Sequence, residues 1–179
     1  MKIILKVIDL KKVFKFCKNF VASNTIKPIQ TLVHLECENG ICKACAIDGY
    51  KACIKNVSCE GDNGVMNIPI INLPKIPDEN EVSISDDGKY ITFDFQSEKR
   101  MFRKIEGEFL NIEKFFPTRE TVFRISFEPK LLIKALKSYE NERHIDMEFF
   151  GELNALKIIG ADSKSLVLPI RRTKESEQE

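Results

Sequence analysis

Apolar residues recur at helical spacing over 9–23, where Leu10, Val13, Phe14, Cys17 and Val21 share one face. Asp9 is placed to cap this helix, and Asn24 followed by Pro28 to end it. The period then changes to two. Val33, Leu35 and Cys37 point one way, His34 and Glu36 the other, and Asn39-Gly40 predicts a tight hairpin into a strand over Ile41–Ile47. Asp48-Gly49 marks a second bend before a strand over Lys51–Val57, and 60–64 reads as a loop. Val65–Ile70 fits another strand, while Pro69, Pro74 and Pro77 forbid a regular helix from 69 to 77.

Two further strands are predicted over Glu81–Ser85 and Tyr90–Phe95, joined by Asp86-Asp87-Gly88, with Lys99–Ile105 pairing to the second. Gly107–Pro117 reads as an extended connector anchored by Phe109, Phe115 and Phe116. After Pro117 the opening pattern returns. A strand over Val122–Phe127 leads to Pro129 at the first position of a second helix reaching about Tyr139, with Leu132, Ala135, Leu136 and Tyr139 on its apolar face. Strands over His144–Phe150, Ala155–Ile159 and Ser165–Ile170 follow, and the polar segment 172–179 reads as a disordered tail. Strand, helix and several strands thus occur twice, with a helix-poor section between and no close repetition of sequence.

The 179 residues are 43% hydrophobic, enough for a real core and against wholesale disorder. Net charge is +1, from 28 basic and 27 acidic side chains, so there is no global attraction to nucleic acid. Local segregation is another matter. Lys11, Lys15 and Lys18 on the first helix, and Lys130, Lys134 and Lys137 on the second, form stripes with the same spacing. Such a stripe is commonly no more than a solvated helix face. The N-terminal apolar run is broken by Lys6 and Asp9 and is too short for a signal-peptide core, and no apolar stretch is long enough to span a bilayer; the chain reads as cytoplasmic.

All six cysteines lie in the first third, at 17, 37, 42, 45, 53 and 59. Cys42 and Cys45 form a C-x-x-C, the spacing of half a zinc site. On the predicted strand 41–47, however, an odd separation sends the two thiols to opposite faces, which favours buried structural cysteines over metal. Little points to catalysis. His34 and His144 stand far apart, no phosphate loop or nucleophile motif is present, and Asp48, Asp86 and Asp87 sit beside glycines as turn formers.

Four segments in order resemble a known family. Thr25-Ile26-Lys27-Pro28-Ile29 leads through the hairpin to Ala46-Ile47-Asp48-Gly49-Tyr50-Lys51, similar to the A-T-D-G-x-R strand end of the bacterial DNA polymerase III beta subunit, the sliding clamp. The stretch from Gly107-Glu108-Phe109-Leu110 through Phe116-Pro117 resembles its G-x-F-P-D-Y-x-x-x-x-P connector. Phe127 to Leu136 resembles the approach to its last helix, and Leu166-Val167-Leu168-Pro169-Ile170-Arg171 its closing V-V-M-P-M-R. The resemblance covers all but 172–179 and makes this a shortened member: one complete clamp domain (1–117) and half of another (118–171).

The resemblance implies an α+β DNA-clamp fold with helices on one face of antiparallel sheets, no catalysis and no cofactor. It implies that the six lysines face double-stranded DNA through mobile phosphate contacts. It also implies a pocket for polymerase and clamp-loader peptides at Gly49, Tyr50, Lys51, Ala52, Pro117, Leu131, Leu168, Pro169, Ile170 and Arg171. Ile47 stands where the family has threonine, and Leu131 where it often has an aromatic residue, so peptide specificity need not match. A homo-oligomer would be needed to close a ring. The competing reading is an interaction module that binds clamp-partner peptides without encircling DNA.

Overall fold

The computed structural model describes residues 1–23, 26–70 and 75–171. Asn24, Thr25, Pro74 and the segment 172–179, each used in the sequence reading, lie outside the described residues. Two compact units form, Met1–Pro117 and Thr118–Glu179.

The first unit opens with β1 (Lys2–Lys6), which passes straight into helix α1 (Val7–Cys17) and a 3-10 turn over Lys18–Phe20. Lys6, not Asp9, is the N-cap, and no side chain caps the helix. The first helical amide is satisfied from elsewhere, Val7 N–H donating to Asn80 O at 2.9 Å, so a capping carboxylate is not required. Asp9 lies in the first turn and takes a bond from Lys12 Nζ at 2.8 Å. Val7, Leu10, Val13 and Cys17 are buried, the face expected from their spacing.

Next come β2 (Leu32–Glu38), β3 (Ile41–Ile47), β4 (Ala52–Ser58), the short β5 (Glu60–Gly61), β6 (Gly64–Pro69), β7 (Glu81–Asp86), β8 (Tyr90–Asp94) and β9 (Lys99–Arg103). The expected loop at 60–64 therefore contains a strand, because the extended backbone at 60–61 finds the open edge of β1. The β2–β3 turn has positive φ at both Asn39 (52°) and Gly40 (78°), as a two-residue hairpin requires. Every strand pairing is antiparallel, and two sheets result, in the orders β4-β3-β2-β6 and β5-β1-β7-β8-β9.

These sheets exchange strands. β1 leaves its sequence neighbours to pair with β7, and β6 pairs back with β2. Ile3 and Leu5 of β1 consequently share one core with Val33 and Leu35 of β2, Met66 and Ile68 of β6 and Phe93 of β8, closed by α1. No helix occurs among the described residues between β6 and β7, as the prolines predict.

Among its described residues the second unit holds helix α2 (Pro129–Lys137) and a single sheet, β10-β11-β12, of Asp146–Glu148, Leu156–Ile159 and Lys164–Val167. Pro129 occupies the first helical position, and the preceding Glu128 carbonyl accepts from the amides of Leu131 and Leu132. Tyr139, Leu156, Ile158 and Val167 are buried, with Leu132, Ala135 and Leu136 packed against them. The Tyr139 hydroxyl donates to Ser165 Oγ at 2.8 Å.

The strand expected over Val122–Phe127 does not form. The segment makes a backbone bond from Ile170 N–H to Ser126 O at 2.8 Å, and Val122 is 95% exposed. The reason lies in the strand exchange of the first unit, where the opening strand pairs with a second sheet. Among the described residues of the second unit there is one sheet, so isolated extended backbone finds no ladder.

Candidate nucleic-acid and peptide-binding surfaces

The lysine stripes follow from helical spacing once the apolar faces are buried. On α1 and the turn after it, Lys15 and Lys18 are exposed on the side away from Val13 and Cys17. Lys11 is half-exposed and its Nζ is held by Asp78. Such a pair at the surface stabilises little and is screened by salt. On α2, Lys130, Lys134 and Lys137 are all exposed, opposite the face that meets Leu156 and Val167. Leu131 and Ile133 stand among them, 52% and 54% exposed.

The residues around the Asp48-Gly49 bend form a second surface. Asp48 Oδ1 accepts from the amides of Tyr50 at 2.9 Å and Lys51 at 3.0 Å, and Gly49 takes φ 98°. Those amide bonds, that of Tyr50 first, hold the Asp48 carboxyl below its ordinary range. Tyr50 projects fully exposed. Beside it lies a cleft of about 500 Å³, lined by Gly49, Tyr50, Lys51 and Ala52 together with Ile47, Leu110, Phe115 and Phe116.

The connector 107–116 builds the far wall. Phe109 stacks on His34 with ring centres 4.6 Å apart, and Ile112 is buried against Cys45 and Ile47 on the outer face of the β2–β3 sheet. Glu113 accepts from Lys43 Nζ at 2.8 Å, and its carboxylate, with that of Glu36, raises the lysine above its ordinary range. Three contacts of different kinds fix the connector. Phe115 and Phe116, expected to be anchors, are 63% and 46% exposed and line the cleft instead. Ile112 is the anchor the sequence reading passed over. Its sequence signal was weak, one isoleucine among the larger aromatic side chains Phe109, Phe115 and Phe116.

Pro117 is exposed and does not line this cleft. Leu131, Leu168, Pro169, Ile170 and Arg171 belong to the second unit, where Leu168 and Ile170 are 66% and 52% exposed. Ile170 lines a separate cleft of about 450 Å³ with Val122, Phe123, Arg124 and Leu153, residues the sequence reading did not select.

His34 Nδ1 meets Asn67 Oδ1 at 2.7 Å and Nε2 meets Glu36 at 3.4 Å, an orientation that serves the stack on Phe109. Cys42 joins the main core and Cys45 the small cluster around Ile112, on opposite faces of β3 as the strand period predicts. Among the described residues, no group of three or more His, Cys, Asp or Glu is placed to hold a metal ion, and no helix is long and apolar enough to cross a membrane.

No known family profile and no curated protein matches the sequence. Solved structures do. A DnaN sliding clamp (DNA polymerase III subunit beta) from Pseudomonas aeruginosa bound to griselimycin superposes with a TM-score of 0.77 at 15% identity, over 96% of this chain and 51% of that one. This chain has the sliding-clamp fold. The DNA polymerase sliding clamp of Bacillus subtilis matches with a TM-score of 0.61 at 16% identity, and a putative DNA polymerase III beta subunit of Eubacterium rectale with 0.57 at 18%. Each of these matches takes in 65% of the clamp chain and 97% and 95% of this one respectively. The clamp fold is therefore present over a shorter span, as mixed α+β structure with antiparallel sheets and few helices.

Proposed function

We propose that this chain is a clamp-like processivity factor without bond chemistry of its own, which contacts duplex DNA through Lys11, Lys15, Lys18, Lys130, Lys134 and Lys137. The reading is supported above all by the two lysine stripes, five of whose six members are exposed on the helices of a clamp fold. Lysine suits the task. Its charge sits at the end of a flexible stem, and phosphate contacts carry no sequence information, so a protein using them can slide. Polymerase and loader peptides are proposed to dock on the first unit at the surface carrying Gly49, Tyr50, Lys51 and Ala52; Pro117 of that unit, and Leu131, Leu168, Pro169, Ile170 and Arg171 of the second unit taken by itself, are proposed as peptide contacts. Apolar anchors in a cleft with a few polar backbone groups suit short hydrophobic peptide tails.

The deciding experiment compares retention on nicked circular DNA with retention on the same DNA linearised. A topologically linked homo-oligomer stays on the circle and runs off free ends. Equal retention on both forms, or none on either, overturns the proposal.

One observation favours a second reading, that of an interaction module binding clamp-partner peptides without encircling DNA. The cleft beside Tyr50 is walled by residues of the first unit. An adaptor would be monomeric or dimeric by sedimentation, bind a hydrophobic polymerase-tail peptide, and lose that binding on Phe116→Ala.

A further inference from the structure

The two units treat an opening segment differently. In the first, β1 runs into α1 with both edges occupied. β5, which follows β4, pairs with one edge at Ile3 and Ile4, and β7 takes the other. The segment 122–127 runs into α2 in the same way. Ser126 stands as far ahead of the helix cap Glu128 as Ile4 stands ahead of the cap Lys6, and its carbonyl accepts from Ile170 N–H, in the chain that follows β12. One edge is thus held as β5 holds β1. Backbone groups of successive residues in extended chain point to alternate edges, so those of Phe123 and Ile125 point to the other. Among the described residues, no strand lies there.

β10 is bare in the matching place. In the first unit β2 has β3 on one side and β6 on the other, and its core-side residues Val33, Leu35 and Cys37 are buried. β10 has β11 on one side and, among the described residues, no strand on the other. Met147 lies directly opposite the fully buried Ile158 and so shares the core side of the sheet, yet it is 41% exposed. Phe149, next on that side, is 46% exposed. A bare strand edge beside exposed Met and Phe side chains is a surface that a partner strand covers.

We propose that the second units of two copies of this chain complete one another, the segment 122–127 of each copy pairing antiparallel with the open edge of β10 in the other. A two-fold axis makes both ladders at once, the reciprocal arrangement of a closed dimer, and it repeats between copies the exchange that β1 and β6 make within the first unit. Charge agrees with the register. Phe127 and Ile145 both pack on the cluster of Tyr139, Leu156 and Ile158. Phe123, Ile125 and Phe127 are therefore the apolar side of the segment, and they must stand opposite the core-side residues of β10 for the two cores to join. With Ile125 opposite Met147, Arg124 stands opposite Glu148; with Ile125 opposite Ile145, it stands opposite Asp146. Both registers make an opposite-charge cross-strand pair. The inference goes beyond the proposed function and does not depend on DNA contact.

The test uses the whole chain without DNA, so its failure is told apart from failure of the lysine reading. Sedimentation equilibrium is expected to give twice the chain mass. Amide exchange followed by NMR should slow at Phe123 and Ile125 as concentration rises and the dimer forms. Met147→Arg places a charge in the joined core at a position a lone copy leaves open, and should give a monomer with unchanged circular dichroism. Arg124→Glu reverses one side of the cross-copy pair, and Asp146→Arg combined with Glu148→Arg reverses the other; all three positions are exposed. Each of these variants alone should dissociate more readily than wild type. Mixing the two should restore the dimer, because the two-fold pairing then sets opposite charges together at both ladders. A chain monomeric at every concentration, a dimer that Met147→Arg leaves intact, or charge variants that do not recover on mixing would each overturn the proposal.

Discussion

Gly61 shows how much a single position can carry. Its φ is +116°, and a Cβ there would stand 2.4 Å from the Lys2 carbonyl oxygen, against backbone that cannot rotate away. Gly61→Ala is expected to break the β1–β5 pairing and destabilise the first unit by about 1–3 kcal/mol, read as a lower urea midpoint with unchanged slope. Asp48 governs the bend beside the cleft through charge. Its carboxyl is lowered by the amides it accepts, so the bend's stabilisation is complete above the ordinary carboxylate range near pH 4 and is lost as pH falls through the lower folded-state value. An acid titration followed by NMR should move the Tyr50 and Lys51 amides together with that low midpoint, while Asp48→Asn abolishes the step. Asp48 was visible in the sequence as a turn residue, whereas Gly61 fell in a segment read as a loop that in fact holds β5. The strict geometry of neither was visible, because it depends on which backbone lies opposite.

At the scale of elements, α2 is held by a short list of contacts. Tyr139 is 7% exposed and donates to Ser165. Tyr139→Phe should cost about 0.5–1.5 kcal/mol by loss of that bond, and Leu156→Ala about 2–5 kcal/mol by leaving a cavity; thermal melts of the two variants rank them in that order. Charge reversal on the lysine stripes tests the proposed DNA contact. Reversing charge at Lys15 and Lys18, or at Lys134 and Lys137, should leave the melting temperature within a few degrees and remove low-salt retention on DNA. Wild-type retention should fall steeply as salt rises. Unchanged retention in either variant counts against DNA contact by that helix.

Over the whole molecule, the decisive feature is strand exchange between sheets. β1 joins the sheet of β7–β9 while β6 joins that of β2–β4, so the core of the first unit closes on itself. Residues 1–117 expressed alone are therefore expected to unfold in one cooperative transition, detected as coincident circular dichroism and fluorescence curves. The second unit buries few apolar side chains and leaves Phe123, Phe149, Leu153, Leu166 and Leu168 substantially exposed.

Periodicity in the sequence determined both helices, the hairpin at Asn39-Gly40, most strands and the opposite facing of Cys42 and Cys45. These depend on backbone geometry over a few residues, and local pattern suffices to specify them. The resemblance of four short motifs, in order, to the sliding-clamp family pointed to the clamp fold. Only the tertiary structure decided that 60–61 is a strand and 122–127 is not, since a strand exists only where a partner edge is available. It alone decided that Ile112 anchors the connector while Phe115 and Phe116 line the cleft. Those outcomes rest on residues far apart in the chain meeting in space, and no local pattern encodes a meeting.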